Sequence, residues 1–150
     1  MRDQVVERLK RAARELVERY GDRVVAVGLF GSVARGEATP RSDVDVIVVV
    51  DGWGRSLERR REIYDVLWRH LRRDVTLVDV DRDVVEELLR GERNLTTTML
   101  NILYDCVIVY DGRGLLSQLV ESVRDYVKQR GWVRYRVGRS YGCLLYTSDA

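Results

Sequence analysis

Cysteine and histidine are nearly absent from this 150-residue chain. The two cysteines, Cys106 and Cys143, make neither a disulfide framework nor a zinc site. The single histidine, His70, stands near the end of an arginine-rich stretch beside Trp68 and Arg69. A partly exposed surface residue is expected there rather than a catalytic base. No apolar run approaches the roughly 20 residues that span a bilayer. The first residues carry acid early and have no continuous apolar core, so no signal peptide is expected and the expected compartment is the cytoplasm. An excess of one charge is also lacking: 26 Lys+Arg against 24 Asp+Glu leave a net +2, too little to argue for a polyanionic partner. All but two of those cations are arginine, a skew read here as genome composition rather than as an RNA-binding surface. Proline occurs once, at Pro40, and no repeat, low-complexity tract or linker interrupts the chain. What remains is 45% hydrophobic residues in a length that suits one domain with its own core.

Hydrophobic periodicity predicts the element order α-β-α-β-α-β-α-α-β-α, that of a small α/β sheet domain. An amphipathic helix is predicted over Arg2 to Tyr20 and ends at Gly21. Val24 to Phe30 and Val44 to Val50 are near-continuous β-branched and apolar runs, as buried strands are. Between them lie a Gly31-Ser32 turn, a short helix from Val33 to Glu37, and a loop from Thr39 to Ser42. Further helices are predicted over Arg55 to Leu71 (Leu57 facing inward), Asp83 to Arg90 with Asp81 as its cap, Leu95 to Tyr104, and Arg113 to Arg130. Strands are predicted over Val75 to Val80 and Cys106 to Tyr110. Arg134, Tyr135, Arg136, Arg139 and Tyr141 read as a basic, aromatic tail suited to RNA or a partner, or as the start of a further element. The last eight residues, 143–150, break the arginine-rich style and resemble the translation of a sequencing-library adapter. The expectation is one domain over residues 1–142, with the native reading frame cut near Gly142.

Chemistry concentrates in Gly31-Ser32-Val33-Ala34-Arg35-Gly36-Glu37 and in Asp43-Val44-Asp45. Residues i and i+2 of a strand share a face, so Asp43 and Asp45 project together at the start of a strand. Paired carboxylates repel unless a cation lies between them, and magnesium prefers hard oxygen ligands that include phosphates. The Gly-Ser turn follows a buried strand and opens a helix, where backbone N–H groups favour an anion and glycine permits its close approach. Ser32 can add a hydrogen bond, and Arg35 or Arg41 can offset phosphate charge. The turn is not a Walker A loop, since no Gly-Lys-Ser/Thr follows.

The pattern G-S-x-A-R-G-E…S-D-x-D resembles the signature of the DNA polymerase β nucleotidyltransferase superfamily. It is most similar to the minimal nucleotidyltransferases of archaea and bacteria. The match is strong over Val27 to Val50, and element order agrees more loosely to about Tyr110. The resemblance implies a nucleotidyltransferase fold, a small mixed sheet of about four strands flanked by helices. It implies that Gly31 and Ser32 hold a triphosphate and that Asp43 and Asp45 bind Mg2+, two ions in all. It also implies a third carboxylate, a metal ligand or general base from a later strand. Asp74, which opens the run Arg73 to Val80, is favoured over Asp79, which alternation puts on the opposite face.

The implied reaction moves a nucleoside monophosphate, AMP from ATP, to an acceptor hydroxyl. Minimal enzymes of this kind often work beside a helical HEPN-type protein in toxin–antitoxin pairs, and some modify that partner's tyrosine, which would make this chain an AMP-transferring antitoxin. The alternative is a binding module that neutralises a toxin by contact through a vestigial site. Modification of a small molecule is a third reading, for which no pocket or second domain is visible. Arg59-Arg60-Arg61 and Arg72-Arg73, broken by Glu58, Glu62, Asp65 and Asp74, read as a salt-bridged face rather than an RNA surface, so nucleic acid is a possible partner that is not indicated. Trp53 suits a sheet-edge cover or a base stack, and Thr96-Thr97-Thr98 a cap or a partner contact.

Overall fold

The computed structural model describes residues 1–137 and 140–145. Two apolar runs make its centre. β1 (Val24–Phe30) and β2 (Val44–Val50) pair antiparallel, and β1 is buried along its whole length. β3 (Val75–Asp81) adds parallel to β2, and β4 (Val107–Asp111) adds antiparallel to β1, which gives the order β3-β2-β1-β4. The parallel step needs a crossover, and α3 (Leu57–Leu71) provides it.

Both faces of the sheet are covered, which is why its inner strands are apolar except at Asp45. On one face α1 (Arg2–Tyr20) and α3 pack through Leu9, Leu16, Ile63 and Leu67 against Val44, Val46, Val48 and Leu77. On the other, α4 (Arg82–Leu89), α5 (Thr97–Asp105) and α6 (Leu115–Gln129) pack through Val85, Leu103, Leu116 and Val120 against Val25, Ile47 and Val49. Each such aliphatic side chain contributes about 1.5–3 kcal/mol on full burial. Among the described residues no helix is long and apolar enough to cross a membrane.

The structure departs from expectation at several places. The short helix α2 (Gly31–Arg35) starts two residues early, so Gly31 and Ser32 belong to it rather than to a preceding turn. Leu57 was expected inside but is 80% exposed, while Arg59 is 1% exposed. Ser56 caps α3 by accepting from the Arg59 N–H, and that start fixes which side chains turn inward. Arg59 bonds Asp79 through Nε and Nη2, Asp81 through Nη1 at 2.9 Å, and the Trp53 carbonyl. Arg60 also binds Asp79. Asp81 does occupy the cap position of α4, yet its side chain caps nothing, because its carboxylate serves Arg59. Trp53 packs against the core with its ring centroid 4.5 Å from that of Tyr20. Thr96 is the side-chain cap of α5, accepting from the Met99 N–H. The basic tail forms a hairpin of β5 (Trp132–Val137) and β6 (Ser140–Leu145). Of the suspected adapter-derived segment, residues 143–145 fall within β6; residues 146–150, like Arg139, lie outside the described residues.

Candidate active site

Antiparallel pairing brings the end of β1 beside the start of β2, so Gly31 follows the Phe30–Asp45 pair directly. Gly31 has φ +74°. A Cβ there would overlap Asp45 Oδ2 and lie 2.8 Å from Asp45 Cγ. The carboxylate fills the space that any other side chain would need, so glycine is required by conformation and by contact. Gly36, left-handed at φ +75°, closes α2, and Glu37 donates its N–H to the Ser32 carbonyl at 2.9 Å. Among the described residues the Ser32 hydroxyl has no hydrogen-bond partner.

Strand alternation turns Val44 and Val46 toward α1 and α3, and Asp43 and Asp45 the opposite way. In the parallel ladder Asp45 faces Thr76, and the Val44 N–H donates to the Asp74 carbonyl at 2.9 Å. Asp74 and Thr76 therefore share the face of the Asp43–Asp45 pair. Asp79 does not: it lies on the α3 face, 6% exposed, held by Arg59 and Arg60. The Thr76 hydroxyl stands between the two carboxylates, 3.3 Å from Asp43 Oδ2. Sequence reasoning passed over it because it sought only carboxylates, although strand alternation was enough to find it.

Burial pushes the Asp45 carboxyl above its ordinary range, and the Asp43 charge adds to this; hydrogen bonding with Thr76 and the charge of Arg35 oppose it. Arg35, expected to offset phosphate charge, is engaged by two carboxylates. Its Nη1 is 2.9 Å from Asp105 Oδ2 and its Nε is 3.3 Å from Glu37 Oε2. Asp105, 7% exposed at the end of α5, had no sequence signal, because its partner is 70 residues away. Arg41 lies in the loop before β2, where its N–H donates to the Thr39 hydroxyl at 3.3 Å. That loop is held by Arg73, whose Nη2 donates to the carbonyls of Ser42 at 2.7 Å and of Thr39 and Pro40 at 3.2 Å. Asp43 thus starts β2 from a fixed backbone. Beside it, Arg41, Trp68, Arg72, Arg73 and Asp74 line a recess of about 460 Å³. His70 lies away from the site, with Nε2 2.9 Å from Glu15. Burial pushes the Cys106 thiol up to about 12, which leaves it inert as a nucleophile.

The donor set fits one kind of metal better than another. Two carboxylates meet on one face with an imbalance of negative charge. Among the described residues no three Asp, Glu, His or Cys side chains converge as a metal-binding group. A pair of carboxylates suits a magnesium-like ion, which takes one or two of them and completes its shell with phosphate oxygens and water.

The profile of the nucleotidyltransferase domain family matches residues 9–102, a span that includes α2, both aspartates and β3. A Methanocaldococcus jannaschii protein, provisionally named a protein adenylyltransferase, is 25% identical over 113 residues, 75% of this chain and 76% of that protein. Two solved structures share the fold. One is a toxin–antitoxin with AMP-PNP, at TM-score 0.53 and 18% identity, covering 81% of this chain and 89% of that one. The other is a tri-AMPylated Shewanella oneidensis HEPN toxin in complex with an MNT antitoxin, at TM-score 0.50 and 15% identity, covering 87% and 90%. With the family profile spanning the Gly-Ser helix, the paired aspartates and the three strands β1, β2 and β3 that bring them together, the chain belongs to the nucleotidyltransferase domain family and is a nucleotidyltransferase.

Proposed function

We propose that the protein transfers AMP from ATP to a hydroxyl of a HEPN-type helical partner and so acts as an antitoxin in the cytoplasm. The observation that carries this reading is the Asp43–Asp45 pair, whose second carboxylate occupies the space beside Gly31. The solved relatives add weight: one was determined with AMP-PNP and another holds an AMPylated HEPN toxin.

In the proposed reaction, Gly31 and Ser32 hold the β- and γ-phosphates through backbone N–H groups and the Ser32 hydroxyl. Asp43 and Asp45 would hold Mg2+, two ions in this reading, and the metal would supply positive charge against the phosphates. The acceptor oxygen forms a bond to the α-phosphorus as the bond to the β-phosphate oxygen breaks, and pyrophosphate leaves. The acceptor proton passes to Asp74, the carboxylate on the Asp43 flank that has no ion-pair partner among the described residues. Thr76 holds Asp43 in place for this, and Arg35, fixed by Asp105, supplies positive field to Asp45.

The test is incubation of the protein with Mg2+, ATP labelled at the α-phosphate and a co-expressed HEPN-type protein. Label should reach the partner and disappear with Asp43→Ala plus Asp45→Ala. Transfer that persists in the double variant refutes the assignment. One observation favours the second reading, a binding module with a vestigial site: among the described residues no third carboxylate joins Asp43 and Asp45 as a metal-binding group. Tight partner binding with no transfer from the wild-type protein would select it.

A further inference from the structure

We propose that the recess beside Asp43 is the acceptor site, and that Arg41, Trp68 and Arg72 select a hydroxyl side chain in a carboxylate-rich protein segment. This rests on nucleotidyl transfer at Asp43 and Asp45. The first argument is stereochemical. In-line displacement puts the attacking and leaving oxygens on opposite sides of the α-phosphorus. The strand order sets Gly31, at the end of β1, and Asp74, at the start of β3, on opposite flanks of the β2 carboxylates. With the leaving phosphates at Gly31 and Ser32, the acceptor enters from the Asp74 flank, and the recess borders that flank at the strand starts through Asp43 and Asp74, with Trp68 and Arg72 reaching it from the α3 side.

The second argument is the strain stored there. Arg72 has φ +53°, and among the described residues it is the one non-glycine in the left-handed region. A helix end of this shape favours glycine, and an L side chain in that region costs about 1–2 kcal/mol. What the chain keeps in exchange is a guanidinium 4.8 Å from the centroid of Trp68, itself 40% exposed. Outliers held this way concentrate at binding and catalytic sites.

The third argument is chemical. Among the described residues neither Arg41 nor Arg72 is in an ion pair, whereas Arg73 is spent on the loop carbonyls. Two guanidiniums outside any ion pair, one of them over the Trp68 ring, match one or two carboxylates flanking the acceptor. The exposed Trp68 ring gives an aromatic acceptor a surface to lie against. An RNA end would set a continuous phosphate backbone against walls that carry Asp43 and Asp74, with only two cations to meet it.

Three probes test this with the intact protein, Mg2+ and α-labelled ATP: a peptide with one tyrosine among glutamates, its lysine counterpart, and a short RNA with a free 3′ hydroxyl. The glutamate peptide should be labelled about tenfold faster than the lysine peptide, the effect of one to two screened ion pairs. Arg72→Glu should abolish that preference by raising KM for the peptide, with ATP affinity little changed. Arg72→Gly, which relieves the backbone and keeps the fold, should do the same, and Trp68→Ala should raise KM for the tyrosine peptide. Equal labelling of both peptides, faster labelling of RNA, or an unchanged preference in Arg72→Gly overturns the acceptor assignment alone. No labelling of any probe, with no pyrophosphate formed, overturns the nucleotidyl-transfer reading beneath it.

Discussion

Two glycines in one short segment separate backbone strain from active-site geometry. Gly31 and Gly36 have φ of +74° and +75°, so alanine at either is strained by about 1–2 kcal/mol. Their surroundings differ. A Cβ at Gly36 meets nothing within 4 Å, whereas one at Gly31 overlaps the Asp45 carboxylate. Gly36→Ala should therefore lose about 1–2 kcal/mol in urea unfolding and keep its transfer rate. Gly31→Ala should lose at least as much stability, and it must also push the Asp45 carboxylate aside. A displacement near 1 Å at a positioned group costs roughly 100-fold in rate. The assay is label transfer from ATP, with both variants compared at equal folded fraction. Equal rates for the two variants would refute the contact between Gly31 and Asp45 as a determinant of the site.

Other consequences follow from the ionised side chains. Arg59→Ala leaves Asp79 buried without its main partner and should cost about 3–5 kcal/mol in urea unfolding, while Arg59→Met with Asp79→Leu should recover most of it. Asp45→Asn should end transfer yet raise stability at neutral pH. The Asp45 pKa is raised in the folded state, so its charge opposes folding above that pKa, and the gain should fade as pH falls through the carboxylate range and the wild-type group protonates. Glu15 behaves in the opposite sense. The His70 hydrogen bond, then the charges of Arg69 and Arg19, hold its pKa low, so its contribution is present at neutral pH and lost as pH falls through that lowered value. Glu15→Gln should cost about 1 kcal/mol at neutral pH and nothing in acid, read from unfolding midpoints at both.

Local signals were legible where local physics decides. The runs Val24 to Phe30 and Val44 to Val50 became strands with those bounds, and alternation set Asp43 and Asp45 on one face and Asp79 on the other. Legibility failed where the partner is distant in sequence. Nothing near Arg59 announces that Asp79 and Asp81 will draw it inside in place of Leu57. Nothing near Arg35 announces Asp105. The Arg73 clamp on the loop carbonyls likewise appears only once α3 has packed. The recess that Arg41 shares with Trp68 and Arg72 was not legible either, because α3 and the loop before β2 meet only in the folded chain.

The central claim is that Asp43 and Asp45 direct attack to the α-phosphorus. The most direct measurement uses ATP labelled at the α- or the γ-phosphate in parallel, with the partner protein and Mg2+, for the wild type and for Asp43→Asn and Asp45→Asn. The account predicts α-label on the acceptor, γ-label released as pyrophosphate, and loss of both in either variant. Gamma-label on the acceptor, or α-label transfer that survives both substitutions, would contradict it.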